Sequence, residues 1–404
     1  MRTLHPRLGA GFNRLWAASA VSNLGDGITM VAGPLLLASI TADPVLIAGG
    51  VLAQQLPWLL FALLGGAVAD RFDRRRLIVL TNLGRALALT VLTVAVATGH
   101  VPVVLVYLVL FALGTGETIV DTAGGALLPL LVPPDLLPRA NARLSATFTI
   151  ANQFAAKPFG AWLFGLAAAA PFGLDALTFV ASALLIASLP IADVSAAGAP
   201  ASGRRSLRRD IAEGVRRLHG HPLLRTLAAA MGAGNIAFGA AFAVFVLYAR
   251  QRLGLSDAGY GLLLTTFAIG GLIGAGVAVR VTARFGNAAV LRAGLLVEAV
   301  THATLAWTTR PLVAGAVLIL FGVQTVVWGV ITSSLRQRLV PNHLLGRVGS
   351  AYALLETGGA AAGTLIGGLM ARVWGLTTPF WVAAAMMGAI LLVVSHRLAD
   401  ADRR

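Results

Sequence analysis

Three observations predict an all-α membrane protein made of two pseudo-symmetric six-helix bundles: an apolar composition, long stretches without charge, and an internal repeat. The chain of 404 residues is 57% hydrophobic and only 12% charged, where a soluble domain carries about 25% charge. Its mean hydropathy is +0.83. Residues 226–249, 258–279, 311–335 and 373–396 contain no Asp, Glu, Lys or Arg. A helix needs about 20 apolar residues to cross the hydrocarbon core, and each of these runs supplies them. The period-2 alternation of a transmembrane β-barrel is not visible.

Turn-like breaks such as "TADP" at 41–44, "TGHVP" at 98–102, "AAPFG" at 169–173 and "TTRP" at 308–311 divide the chain. Spans are predicted at 14–40, 45–69, 77–98, 102–128, 140–166, 172–190, 222–249, 257–279, 288–308, 311–335, 348–370 and 376–396. The first apolar run is too long for a cleavable signal, whose core is about 7–15 residues.

The net charge of +15 raises the question of nucleic acid, and the placement of the arginines answers it. With the N-terminus inside, 26 arginines fall on inner segments and flanks, Arg85 among them, and only Arg250, Arg252, Arg310 and Arg372 fall outside. That bias orients both termini toward the cytoplasm; the basic charge is topological and no nucleic-acid partner is expected. The sole lysine, Lys157, lies within a span. There is no cysteine, which excludes disulfides and thiol chemistry.

The longest polar segment, 191–220, separates an expected N-terminal bundle (1–190) from a C-terminal one (221–404). Its second half sets Leu207, Ile211, Val215 and Leu218 on one helical face among arginines, which fits either an amphipathic helix on an anionic leaflet or a solvated linker. The halves repeat: "LVPPDLLPR" at 131–139 returns as "LVPNHLLGR" at 339–347, six identities in nine positions. "DRFDRRR" at 70–76 has a faded partner in "ARFGNAA" at 283–289. A parallel duplication of six-span units is the architecture of a two-bundle secondary transporter.

The joint at 65–76 carries six charged side chains in the seven residues from Asp70 to Arg76. It resembles motif A of the major facilitator superfamily, Gly-x-x-x-Asp-Arg-x-x-Arg-Arg, here Gly66, Asp70, Arg71, Arg74 and Arg75. Residues 126–154 resemble the joint between spans four and five of bacterial drug:proton antiporters related to macrolide and siderophore exporters. The resemblance covers the whole chain. It implies alternating access, with motif A as a cytoplasmic latch: Asp70 caps the eleventh span near Gly349, where the helix dipole favours an anion, and the arginines reach Asp121 on span four. A topology signal alone would explain the arginines but does not require Asp70, Asp73 and Asp121.

Ionisable groups inside a membrane are functional candidates. Asp26 lies ~18 Å into the first span and Glu117 ~16 Å from the inner end of the fourth. The resemblance places spans 1, 4, 7 and 10 around the central cavity, so a carboxyl there can pick up and release a proton as access alternates; a helix–helix hydrogen bond is the plainer role. Lys157 stands in "AAKP", where relatives have a Gly-Pro-Pro-like stretch. It is open as a counter-ion to Glu117 or Asp26, as a grip on an anionic substrate, or as a snorkelling side chain. Asn23, Gln54, Asn152, Asn235 and Gln324 are candidate polar contacts in the cavity, with Trp58, Phe148, Phe238 and Trp328 as apolar walls. Glu298 and His302, four residues apart on span nine, make a poor metal site and read better as a local hydrogen bond; the role of Glu356 stays open. No metal or cofactor is expected.

The leading function is an ion-coupled exporter of amphipathic small molecules, and an importer of a metabolite or nutrient is the alternative. An ATP-driven pump needs a phosphate loop ending in Gly-Lys-Ser/Thr, and the only lysine precedes Pro158. The absence of cysteine and of a convincing nucleophile–base pair in the sequence disfavours an intramembrane enzyme, although such a pair can also be assembled across helices, and a channel requires neither the duplicated halves nor the latch. The expected partners are a small-molecule substrate, protons and the bilayer, around a monomer. Abundant Arg, Ala and Gly fit a GC-rich bacterial genome, hence a multi-pass protein of the bacterial inner membrane.

Overall fold

The computed structural model describes residues 8–69, 73–189, 216 and 219–398. Asp70 and Arg71 of the charged joint, and nearly all of the 191–220 segment with its expected amphipathic helix, lie outside the described residues.

Among the described residues the chain is helical, with no strand. In order come α1 (Gly9–Ile40), α2 (Pro44–Ala69), α3 (Arg74–Ala97), α4 (Val103–Leu131), α5 (Leu137–Phe148), α6 (Ala156–Leu166) and α7 (Ala170–Ala187). They are followed by α8 (Pro222–Phe242), the short α9 (Phe245–Leu247), α10 (Asp257–Phe285), α11 (Asn287–Trp307), α12 (Pro311–Leu339), α13 (Asn342–Trp374) and α14 (Thr378–Leu398). Among the described residues ten helices are long and apolar enough to cross a membrane, and α8 with Phe245–Arg252, bent by 48°, makes an eleventh when the two are counted as one span. The predicted fifth span is broken into α5, a π-helical stretch Thr149–Ala155 and α6.

Local chemistry explains the helix ends. Asp73 caps α3 by accepting from the Arg76 amide at 2.6 Å, and Ser256 caps α10 from the Gly259 amide at 3.2 Å. Pro222 and Pro311 open α8 and α12, positions where a missing N–H is harmless. Gly286 and Gly375 end α10 and α13 at φ +78° and +99°, values that favour glycine. The repeated nonapeptide does not fold identically. Pro133-Pro134 gives a 3₁₀ turn (Pro134–Leu136) before α5, whereas the second copy has one proline, Pro341, and α13 begins at once. That helix therefore starts six residues before the predicted 348.

The chain forms two compact units: Met1–Ile40 with Ala53–Pro200, and Thr41–Leu52 with Ala201–Arg404. In the second, Gly368 admits the backbone of Pro44–Val45, and Arg372 pairs with Asp43 at 3.5 Å. In the first unit α7 packs on α1 and α3, α4 on α3, and α6 on α1, while Gly114 of α4 lies against the Gln54 carbonyl of α2. In the second, α14 packs on α8 and α11, α12 on α11, α13 on α8, and α10 on α12. Numbered as spans, the two pairing schemes are the same, so the repeat seen in the joints extends to the packing. The seams are made of small residues: Gly359, Gly363 and Gly367 of α13 abut backbone carbonyls of α8, where a side chain would hold the helices apart.

Candidate functional site

The first unit contains a buried ion pair in an otherwise charge-poor interior. Arg85 of α3 donates from its guanidinium to Asp26 of α1, with side chains 3% and 14% exposed. Ser22, one turn earlier on α1, also donates to Asp26, at 3.4 Å. Arg85 stands 11 residues into α3, about 16 Å along the helix. It therefore does not belong to the cytoplasmic arginine bias in which sequence reasoning counts it. A guanidinium at that depth persists only when paired.

Three neighbours shape the Arg85 arm. Its Cζ lies 3.9 Å from the centroid of the Phe179 ring, where the ring face attracts a cation. Gly116 of α4 leaves the space its stem occupies: a Cβ there would lie 2.5 Å from Arg85 Cδ. The buried Nε has no acceptor.

Asp175 of α7 is a second, fully buried carboxyl beside the pair. It accepts from Thr29 Oγ1 at 2.5 Å and from Thr178 Oγ1 at 3.0 Å. Gly25, adjacent to Asp26, makes room for it; a Cβ at that position would overlap the Asp175 carboxylate. On α4, Glu117 is half-buried and Asp121 is exposed; the Trp58 side chain is a hydrogen-bond partner of Glu117. Asp26 acts electrostatically on Glu117, Asp121 and Asp175, and so does Arg85.

Asp26, Glu117 and Asp121 thus come together, and Asp121 shares its surroundings with the other carboxyls. Of the charged joint, Gly66 lies on the last turns of α2, Arg74 donates to the Ala126 carbonyl of α4 at 2.9 Å, and Arg75 donates to the Ala187 carbonyl of α7. Lys157 does not join Asp26 or Glu117. Its ammonium donates to Gln153 one turn earlier, and the cation of Asp26 is Arg85, so the counter-ion reading is corrected. Asn152, in the π-helical stretch, donates to the Asn23 carbonyl at 3.1 Å, and Asn23 donates to the Ser19 carbonyl at 2.7 Å; both asparagines serve the α1 seam. Gln54 is half-buried, whereas Trp58 and Phe148 are exposed.

The second unit contrasts in chemistry. Phe238 stacks on Phe242 at 4.2 Å and meets Phe267 and Phe321 within an aromatic cluster. Gln324 and Trp328 pack against Gly294 of α11, which makes them parts of a helix seam. Asn235 donates to the Met231 carbonyl at 3.0 Å. The His302 ring bonds the Glu298 backbone carbonyl one turn earlier on the same helix at 2.8 Å, and the ring stands edge-on to Phe321. Glu356 is exposed. No group of three metal-ligating side chains occurs among the described residues.

Sequence reasoning missed Arg85 and Asp175. Counting Arg85's depth from the Asp73 cap would have found it. Asp175 follows the "AAPFG" break so closely that it reads as a boundary residue.

A profile of the family described as transmembrane secretion effector matches residues 2–403. The multidrug efflux pump Tap of Mycolicibacterium fortuitum is 27% identical over 402 residues, 95% of each chain. Macrolide efflux protein A of Streptococcus pyogenes is 28% identical over 155 residues, 37% of this chain and 38% of that one. Among solved structures, a bacterial homologue of the iron transporter ferroportin in an inward-facing state superposes with a TM-score of 0.74 at 18% identity, over 98% of this chain and 99% of that one.

Proposed function

This chain belongs to the transmembrane secretion effector family and has the major facilitator fold, and on that premise we propose that it exports amphipathic small molecules in exchange for protons. It is a secondary transporter of the efflux type. In our reading the broken fifth span completes a set of twelve, both termini face the cytoplasm of a bacterial inner membrane, and one chain carries both bundles of the working unit. Cargo is drug-like or natural-product-like, as the names of the efflux relatives suggest.

The observation that carries the proton reading is the placement of Asp26, Glu117, Asp121 and Asp175 around Arg85, which is buried within the helices of the first unit. Proton uptake by Asp26 or Glu117 removes a negative charge from the group, and release restores it. A cycle that alternates those two states couples proton entry to cargo exit. Asp70 and the motif arginines act as the cytoplasmic latch, with Asp121 of α4 as the acid the arginines reach.

Purified protein in proteoliposomes with an imposed pH gradient, offered cationic, neutral and anionic compounds, tests this. Glu117→Gln is expected to abolish pH-driven accumulation while counterflow at equal pH survives in part. Accumulation at the wild-type rate would remove Glu117 from the mechanism and pass the role to Asp26.

A further inference from the structure

We propose that Asp175 is a second seat for the Arg85 guanidinium, occupied when Asp26 takes up a proton. The inference rests on the proton-coupled reading above and gives it a moving part: the cation changes carboxylate instead of being left unpaired in the membrane.

Four features favour the exchange. First, the guanidinium is under-used where it sits. Arg85 has five N–H donors, and its buried Nε has no acceptor, so a further oxygen would satisfy it better. Second, Phe179 is four residues after Asp175 on α7 and lies flat beneath Arg85 Cζ at 3.9 Å. The guanidinium can slide across that face toward the next turn without losing its contact with the ring. Third, Gly116 clears the path of the arm, since a Cβ there would lie 2.5 Å from Cδ and 2.7 Å from Cγ.

Fourth, Asp175 is held ready. Thr29 bonds one carboxylate oxygen at 2.5 Å. Thr178 has a single hydroxyl hydrogen and two acceptors in reach, the Asp175 backbone carbonyl at 2.8 Å and its other carboxylate oxygen at 3.0 Å. When Thr178 bonds the carbonyl, that carboxylate oxygen is free to accept from Arg85. Gly25 brings the carboxyl flush with α1, next to Asp26.

The charged groups facing this region are Asp26 from α1, Arg85 from α3, Glu117 and Asp121 from α4, and Asp175 from α7. Lys157 of α6 is engaged with Gln153. Arg85 stays protonated throughout. The proton arrives on Asp26 from water, the Arg85–Asp26 ion pair breaks, an Arg85–Asp175 pair forms, and loss of the proton reverses both.

The seat is tested without transport. In a structure of the full-length Asp26→Asn protein, which imitates the protonated acid, the Arg85 guanidinium is expected within ion-pair distance of Asp175. Arg85 left beside position 26 with no carboxylate partner would overturn the proposal. A thermal-unfolding cycle gives a second readout: Asp175→Asn should lower the midpoint more in the Asp26→Asn background than in wild type, and additive losses would count against the seat.

Transport then tests the coupling. With the second seat removed by Asp175→Asn, Arg85 is retained by Asp26. The ratio of pH-driven export to counterflow should fall tenfold or more, and half-maximal export should move to a more acidic pH. An unchanged ratio and profile would overturn the role of Asp175. Asp26→Asn and Glu117→Gln that both export normally under a pH gradient would instead overturn the proton reading, while the structural test of the seat stands by itself.

Discussion

Arg85 of α3 and Asp26 of α1 form a buried ion pair between two helices that both pack on α7, and their dependence is mutual. Removing one partner of a buried pair upsets the local charge balance, at a cost of about 3–5 kcal/mol, whereas removing both leaves the net charge of the group unchanged. Arg85→Ala is therefore expected to lower the thermal unfolding midpoint in detergent strongly. The double variant Asp26→Ala with Arg85→Ala should unfold at a higher temperature than Arg85→Ala alone. A double variant less stable than either single one would mean that the pair does not couple α1 to α3 in this way.

The latch predicts a change in conformational population. In the proposed latch, Asp121 and Asp70 hold the cytoplasmic side closed, so Asp121→Asn or Asp70→Asn is expected to lower the population of that closed state. Distances between spin labels on cytoplasmic ends of helices should shift toward the open form in both variants. Unchanged distributions in both would leave the charged joint as an orientation signal.

Lys157 is expected to stand outside the proton pathway, because its hydrogen bond goes to Gln153 on the same helix turn and Asp26 already has Arg85. Lys157→Ala should keep the wild-type pH profile of export. The same cargo panel reads its remaining role: weaker transport of anionic compounds alone would mark it as a grip on substrate charge. A displaced pH profile would return it to the carboxyl group.

Helix content, span positions, the repeat and three of the four clustered carboxyls, Asp26, Glu117 and Asp121, were legible in the sequence, because apolar length and isolated charges are one-dimensional signals. Asp26 and Glu117 stood out against long uncharged surroundings. Arg85 did not, since an arginine 11 residues into a span resembles a flanking cation until the helix start is fixed by the Asp73 cap. The π-helical stretch Thr149–Ala155 also left no readable mark. Its Asn152 is 2% exposed and donates to α1, a partner 129 residues away in sequence. Gln324 and Trp328, candidate cavity residues whose types suit packing as well, stand opposite Gly294 of α11.

The helix seams of the two units match in pairing and differ in what they enclose: an ionic network beside α1, α3 and α7 in one, stacked aromatic rings around α8, α10 and α12 in the other. Glycines that bring backbone against backbone hold the seams, and they do so whatever side chains stand on the other faces. A duplicated gene can therefore preserve its scaffold while each copy drifts toward its own chemistry. The ancestry of the halves survives most clearly in short joints such as "LVPPDLLPR" and "LVPNHLLGR", while the interiors have become specialists.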